Sequence, residues 1–254
     1  MTKRLLLNFA YSELKARYLG SYFGLVWALV HPLAVIAVFW FVFEVGFKVA
    51  AVSEVPFILW FMAGFIPWFF FSESLSLMLN VVPENSFLVK KVHFNVTWLP
   101  LVRLLSSLPV NAFLFLLLLA MYALYGRAPS LQWLQLLYYL AGLGVLLTGL
   151  GYFVAAAVVF FKDTVQIVQI VLQFGFWLTP IFWSPQMVPE TYHWLIGLNP
   201  MYYIVDGFRE SLTGGAWFWE RPLLSLYFWG ITLAIFAGGV RLFRRLKPHF
   251  ADVL

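Results

Sequence analysis

The chain has 254 residues and no cysteine, with 11% charged and 63% hydrophobic residues. Soluble domains average about 25% charged and about 45–50% apolar residues, so a globule of this size could not cover its surface with so few charges. The composition excludes a soluble enzyme or an ordinary nucleic-acid-binding domain and points to an integral membrane protein, in which the net charge of +5 reports orientation rather than an acidic partner.

The first element in chain order is an amphipathic stretch, Lys3–Gly20. Lys3-Arg4 precedes only three leucines before polar residues return, so no cleaved leader is expected. Leu7, Tyr11, Leu14 and Tyr18 share one helical face, Asn8, Ser12 and Lys15 face away, and Glu13 can pair with Arg17 one turn on. That pattern suits a helix lying in the headgroup layer; the alternative is a frayed tail.

Six continuously apolar runs follow, each at least as long as the roughly 20 residues that a helical span requires. They are Tyr22–Phe43, Pro56–Val82, Trp98–Tyr125, Leu131–Phe161, Thr164–Trp183 and Pro222–Phe243. Barrel strands would alternate apolar and polar instead, so the expected class is an all-α integral membrane protein with six transmembrane helices. Pro32, Pro67, Pro109 and Pro180 fall inside these runs, where neighbouring helices can support a kink. Lys48, Arg127, Arg209 and Arg221 lie on one predicted side, and the other twelve of the sixteen Lys and Arg lie opposite. The bias places both termini in the cytoplasm.

Two connections carry further information. In the cytoplasmic segment Glu84–Asn95, Asn85 or Ser86 can cap a short helix on which Phe87, Lys90, Lys91 and Phe94 share one side. Such a segment can dock a partner or simply rest on lipid. The outer connection Ser184–Arg221 is rich in aromatics, including Tyr192, Trp194, Tyr202 and Tyr203, and Pro189 and Pro200 fit helix starts. Two short helices, Pro189–Leu198 and Pro200–Leu212, are expected to dip into the outer interface and return; an aromatic belt around a loop is the simpler alternative.

The soluble chemistries leave little trace. There is no G-x-x-x-x-G-K-[ST] phosphate loop. Asp163, Asp206 and Asp252 are too scattered to cradle a metal-bound diphosphate. The four histidines show no metal-ligand spacing, so no metal site or catalytic residue is expected. Only Glu73 and Arg103 lie well inside spans, about 13 and 8 Å from the inner ends at 1.5 Å per residue. They are read as a membrane ion pair, a clamp rather than a proton relay, because isolated intramembrane charges are expensive. A proton- or sodium-driven carrier would need more polar groups at the midplane. The aromatic share, 20%, is the unusual feature. Phe57, Phe61, Phe65 and Trp68 form a helical stripe, as do Phe174 and Trp177. Such faces can stack on sugar rings, or serve only as packing bulk.

Taken together, Lys15-x-Arg17-Tyr18-x-x-Ser21-x-x-Gly24-x-x-Trp27-x-x-x-x-Pro32 resembles the entry signature of type-two ABC exporter permeases, those exporting bacterial polysaccharides in particular. Leu88-x-Lys90-Lys91-Val92-x-Phe94, Phe161-Lys162-Asp163, Leu178-Thr179-Pro180-Ile181 and Asn199-Pro200 follow in the family's order, with Lys162 where Arg and Phe23 where Leu is more frequent. The resemblance covers nearly the whole chain. It implies a single permease domain, residues 1–254, in the bacterial inner membrane. The partners implied are a second copy of itself, two copies of a separate ABC ATPase that binds the ATP and Mg²⁺, and a lipid-linked polysaccharide. It further implies that residues 1–20 are an interface helix (Lys15, Arg17, Tyr18), 84–95 the coupling segment and 189–212 an outer gate. The six aromatics named above would then line the channel. O-antigen on undecaprenyl diphosphate is the first expectation for the cargo, with capsular polysaccharide and teichoic acid close behind. A drug or lipid exporter of the same superfamily and a membrane glycan-modifying enzyme are the rivals.

Overall fold

The computed structural model describes residues 9–13, 15, 25–49, 55–90, 95–127 and 129–254. Its described elements are helical, with no β-strand among the described residues. The α-helices are α1 (Leu25–Trp40), α2 (Phe57–Leu79), α3 (Val81–Glu84), α4 (Ser86–Val89), α5 (Leu99–Leu124), α6 (Gln135–Phe160), α7 (Thr164–Leu178), α8 (His193–Gly197), α9 (Pro200–Thr213), α10 (Pro222–Leu246) and α11 (Phe250–Val253). A π-helical turn, Phe41–Gly46, extends α1.

Among the described residues, five helical segments are long and apolar enough to cross a membrane: Val26–Gly46, Phe57–Leu79, Val96–Leu124, Leu131–Phe160 and Pro222–Val253. Pro32, Pro67 and Pro109 lie within helices as expected. Pro180 does not. The run beginning at Thr164 stops being helical at Leu178, after 15 residues, because a residue preceding proline is driven out of the α region. Thr179 is extended accordingly (φ −84°, ψ 133°). At 1.5 Å per residue α7 is about 22 Å long, short of the roughly 30 Å hydrocarbon core, so the expected span Thr164–Trp183 is shorter than the reading of its hydropathy.

The central helix is α2, which packs against α1, α5, α6, α7 and α9. Its apolar residues run all round the helix, as a helix buried on every side requires, and Leu59, Phe61, Ile66 and Met78 are fully buried. Polar cross-links fix its register. Ser74 and Ser107 share a hydrogen bond of 2.8 Å, and Tyr122 donates to the Leu59 carbonyl at 3.3 Å. On the far side, α10 lies along α6. Lipid does not drive apolar helices together, so close packing has to. Here glycine permits it: a Cβ on Gly239 would sit 2.1 Å from the Gly149 carbonyl oxygen, and one on Gly149 would sit 2.6 Å from Phe236 Cα.

A second apolar cluster closes the end of the bundle that carries the chain's carboxy terminus. Val81, Val82, Leu99, Tyr152, Phe243 and Phe250 form its core, with Phe9, Leu88 and Val89 packed on it. It joins the amino-terminal helix, the α3–α4 turn and the carboxy-terminal α11 at one end of the bundle. By contrast α1 presents Val26, Trp27, Val30, Val38 and Trp40 outward.

Candidate functional site

A groove of about 870 Å³ runs between α1, α2 and α7. Phe39, Phe65, Trp68, Phe176 and Trp177 line the portion toward the amino-terminal end of α2, while His31, Ser72, Glu73, Ser76, Gln169 and Gln173 line the part toward its carboxy-terminal end. Of the six aromatics expected in a channel, Phe65, Trp68 and Trp177 are there. Phe57 and Phe61 are not: α1 covers their side of α2, stacking Phe39 on Phe61 (4.5 Å between centroids) and Phe43 on Phe57 (5.0 Å). Phe174 is 62% exposed on α7 but does not line the groove.

The polar lining was not singled out from the sequence, although its spacing was visible. Ser72 and Ser76 are one turn apart on α2, and Gln169 and Gln173 one turn apart on α7. The two rows meet where Gln169 Nε2 donates to Ser76 Oγ at 3.2 Å. Glu73, which also lines the groove, accepts a hydrogen bond from Asn111 Nδ2 at 3.1 Å.

The expected Glu73–Arg103 pair is not formed. Arg103 Nη1 meets Glu13 Oε2 at 2.9 Å, and Nη2 pairs with Glu84. Register explains the difference. The level of Glu73 on α5 is marked by Asn111, eight residues beyond Arg103 and therefore about 12 Å along the helix. Arg103 instead holds the amino-terminal helix and the end of α3 to α5. Glu13 thus uses Arg103, while Arg17 and Tyr18, like the pairing expected between Glu13 and Arg17, lie outside the described residues. Lys15 is exposed, as is Tyr11 at 69%, whereas Ala10 is buried.

The inner turn expected to dock a partner is built from α3 and α4. Asn85 stands at the N-cap position of α4, but its side chain donates back to the Val81 carbonyl at 2.9 Å rather than capping forward. Phe87 (59% exposed) and Lys90 project from the turn one helical step apart. Lys91 and Phe94 lie outside the described residues.

At the outer end, the first short helix begins later than expected: a 3₁₀ turn at Glu190–Tyr192 leads into α8. The second, α9, starts at Pro200 as expected, with Asn199 Oδ1 accepting from Met201 N at 3.0 Å. Tyr192 and Trp194 are exposed; Tyr203 is buried and bonded to Tyr138 (2.9 Å) and Ser225 (2.8 Å). Tyr202 lines a cleft with Trp60, His193, Asp206, Arg209 and Arg221.

Arg209, which the sequence showed only as an outer-side charge, ties this region together. It is buried, its guanidinium carbon 3.4 Å from the Trp60 ring centroid. It donates to the carbonyls of Pro180 (2.6 Å), Ile181 (2.7 Å) and Trp60 (3.3 Å). The end of α7 is thereby tied to α9 and α2. The approach requires a glycine, since a Cβ on Gly64 would lie 2.7 Å from Arg209 Nη2. Arg221, just ahead of α10, bonds Asp206 and Glu210 Oε1, the latter at 2.7 Å. Burial works against its charge, yet these two carboxylates hold its pKa above the ordinary value.

Residues 5–213 match the profile of the ABC-2 type transporter family. An "O-antigen export system permease protein RfbA" from Klebsiella pneumoniae is 30% identical over 95% of this chain and 92% of its own. A second protein of that name from the same organism is 29% identical over the same shares. One from Myxococcus xanthus is 27% identical over 98% of this chain and 94% of its own.

Proposed function

The chain belongs to the ABC-2 type transporter family, and on that premise we propose that it exports a lipid-linked O-antigen across the bacterial inner membrane as one half of a homodimeric permease. As a member of that family it is a membrane transport permease that works with an ABC ATPase. The observation that carries the substrate reading is the groove between α1, α2 and α7, aromatic toward the amino-terminal end of α2 and lined with amide, hydroxyl and carboxylate groups toward its carboxy-terminal end. The agreement of three relatives named as O-antigen export permeases supports it.

The chemistry suits a sliding glycan. Hydroxyls and amides exchange hydrogen bonds with sugar hydroxyls at many registers, and aromatic faces accept the apolar faces of pyranose rings without locking one position. The groove is open along one side, flanked by the exposed apolar faces of α1 and α7; a second copy facing it would complete a passage. In this reading α7 and residues 179–183 make a sixth, incomplete span, α8 and α9 form the outer gate, and both termini are cytoplasmic. ATP and Mg²⁺ are bound by two copies of the ATPase, which engages the α3–α4 turn and the amino-terminal helix.

The test is co-expression with the cognate ATPase in a strain lacking its own O-antigen permease. Surface O-antigen should be restored, and the purified complex should contain equal numbers of the two chains. Phe87→Ala with Lys90→Gln should leave membrane insertion intact and weaken ATPase co-purification. Robust ATP hydrolysis by the isolated chain, or no dependence of surface O-antigen on it, overturns the reading.

A further inference from the structure

A second cleft, of about 510 Å³, opens at the inner end of the bundle, on α5, α6 and α10 rather than on the helices that form the groove. Trp98 and Leu101 supply one wall, Tyr152 another, and Arg244 and Lys247 a third; among the described residues no carboxylate lines it. Tyr152 holds the walls together by donating to the Thr97 carbonyl at 2.8 Å.

Three donors in it have charge or hydrogen-bonding capacity that the chain leaves unused. Arg244 is exposed and makes no hydrogen bond or ion pair among the described residues. Lys247 Nζ donates to Asn95 Oδ1 (2.8 Å) and Thr97 Oγ1 (3.4 Å), both neutral, so its charge is uncompensated. Trp98, which lines the cleft, has a buried Nε1 with no hydrogen-bond partner among the described residues. An unsatisfied buried donor costs about 1–3 kcal/mol, and two uncompensated cations beside it set the sign of whatever satisfies it.

We propose that this cleft binds the phosphate-bearing headgroup of an anionic glycerophospholipid of the inner leaflet. A guanidinium fork, an ammonium and an indole N–H are together a phosphate-recognising set. Basic pockets between helices at the cytoplasmic boundary are where such headgroups lodge. Leu101 and the Trp98 ring give the cleft an apolar side on which the glycerol and first acyl carbons can rest, which a free phosphate ion would not use. The site is independent of the cargo and of the groove.

Native mass spectrometry of the full-length permease with its ATPase can test this, with phosphatidylglycerol, phosphatidylcholine and inorganic phosphate as probes. One phosphatidylglycerol per permease chain should bind in preference to phosphatidylcholine. At about fivefold per basic residue, Arg244→Gln should weaken that binding about fivefold, and Arg244→Gln with Lys247→Gln about 25-fold. The charge-matched control is Arg241→Gln with Arg245→Gln, which removes two cations from the same helix end outside the cleft; it should change affinity less than about twofold. Arg244→Gln breaks no hydrogen bond or ion pair among the described residues, and Trp98→Phe deletes only the N–H, so both keep the test sound if the Lys247 variant folds poorly. Trp98→Phe should weaken binding without lowering the folded yield. Equal weakening by the two double variants would mean diffuse attraction and overturn the proposal. So would undiminished binding in the Arg244 and Trp98 variants, displacement of the lipid by inorganic phosphate at matched concentration, or equal binding of phosphatidylcholine.

Discussion

Replacing Arg209 by methionine keeps its bulk and removes the three donations to Trp60, Pro180 and Ile181. The Trp60 carbonyl lies within α2 and keeps its helical partner, so two carbonyls are orphaned. Each costs about 1–3 kcal/mol, and relief from burying a cation offsets part of the sum. The net loss should be about 2–4 kcal/mol, or a fall in melting temperature of about 5–15 °C for a chain of this size. Lysine should not rescue, because a point ammonium cannot span two adjacent carbonyls as the planar fork does. Gly64→Ala attacks the same contact from the other side. Its Cβ would lie 2.7 Å from Arg209 Nη2, so the guanidinium must retreat about 0.7 Å to reach ordinary contact, stretching the 2.7 Å bond to Ile181 beyond the normal N–H···O range. Once methionine stands at 209 the alanine has less to displace, and the double variant should lose less than the sum of the singles. Fluorescence-detected size exclusion of the heated, detergent-solubilised protein measures all three. An Arg209→Met protein melting within about 2 °C of the parent would refute the argument.

Two further expectations separate packing from transport and test the relocated ion pair. Phe61→Ala should destabilise by about 3 kcal/mol or more, with export falling only in proportion to folded protein; Trp177→Ala, at a site 56% exposed, should leave melting nearly unchanged and lower export per folded molecule about two- to tenfold, the range of a lost stacking contact, as followed by surface O-antigen. Losses from Glu73→Gln and Arg103→Gln should add within about 0.5 kcal/mol, while Glu13→Gln and Arg103→Gln should show a coupling of about 1 kcal/mol in the same thermal assay.

Much of the architecture was legible in the sequence because it depends on local patterns. Continuous apolar runs marked the five described segments that are long and apolar enough to cross a membrane, and Asn199-Pro200 marked the start of α9. The α3–α4 turn and the outer helices were likewise found near their expected places. What failed were inferences about lateral relations. Depth alone brought Glu73 and Arg103 together, but depth counted along two helices omits their offset and tilt, and the true partners, Glu13 and Glu84, came from elements outside the spans. Hydropathy could not see that Pro180 ends α7, since Ile181 and Phe182 remain apolar after the backbone has turned. An aromatic stripe reported that α2 is buried without saying by what, so residues covered by α1 were indistinguishable from those lining the groove. Arg209 was missed for a related reason. Its partners are carbonyls, and no side-chain pattern announces a main-chain acceptor.

The contact between Gly149 and Gly239 bears on how the protomer can move. Where helices meet through side chains, each can slide by a fraction of an ångström as rotamers adjust, and shear becomes available at little cost. Along this stretch there are no rotamers to adjust, because main chain rests on main chain. Helices α6 and α10 therefore behave as a single plank with one set of rigid-body freedoms. Hinging that widens or narrows the groove is left to α1, α7 and the face of α2 that they cover, the elements opposite the plank.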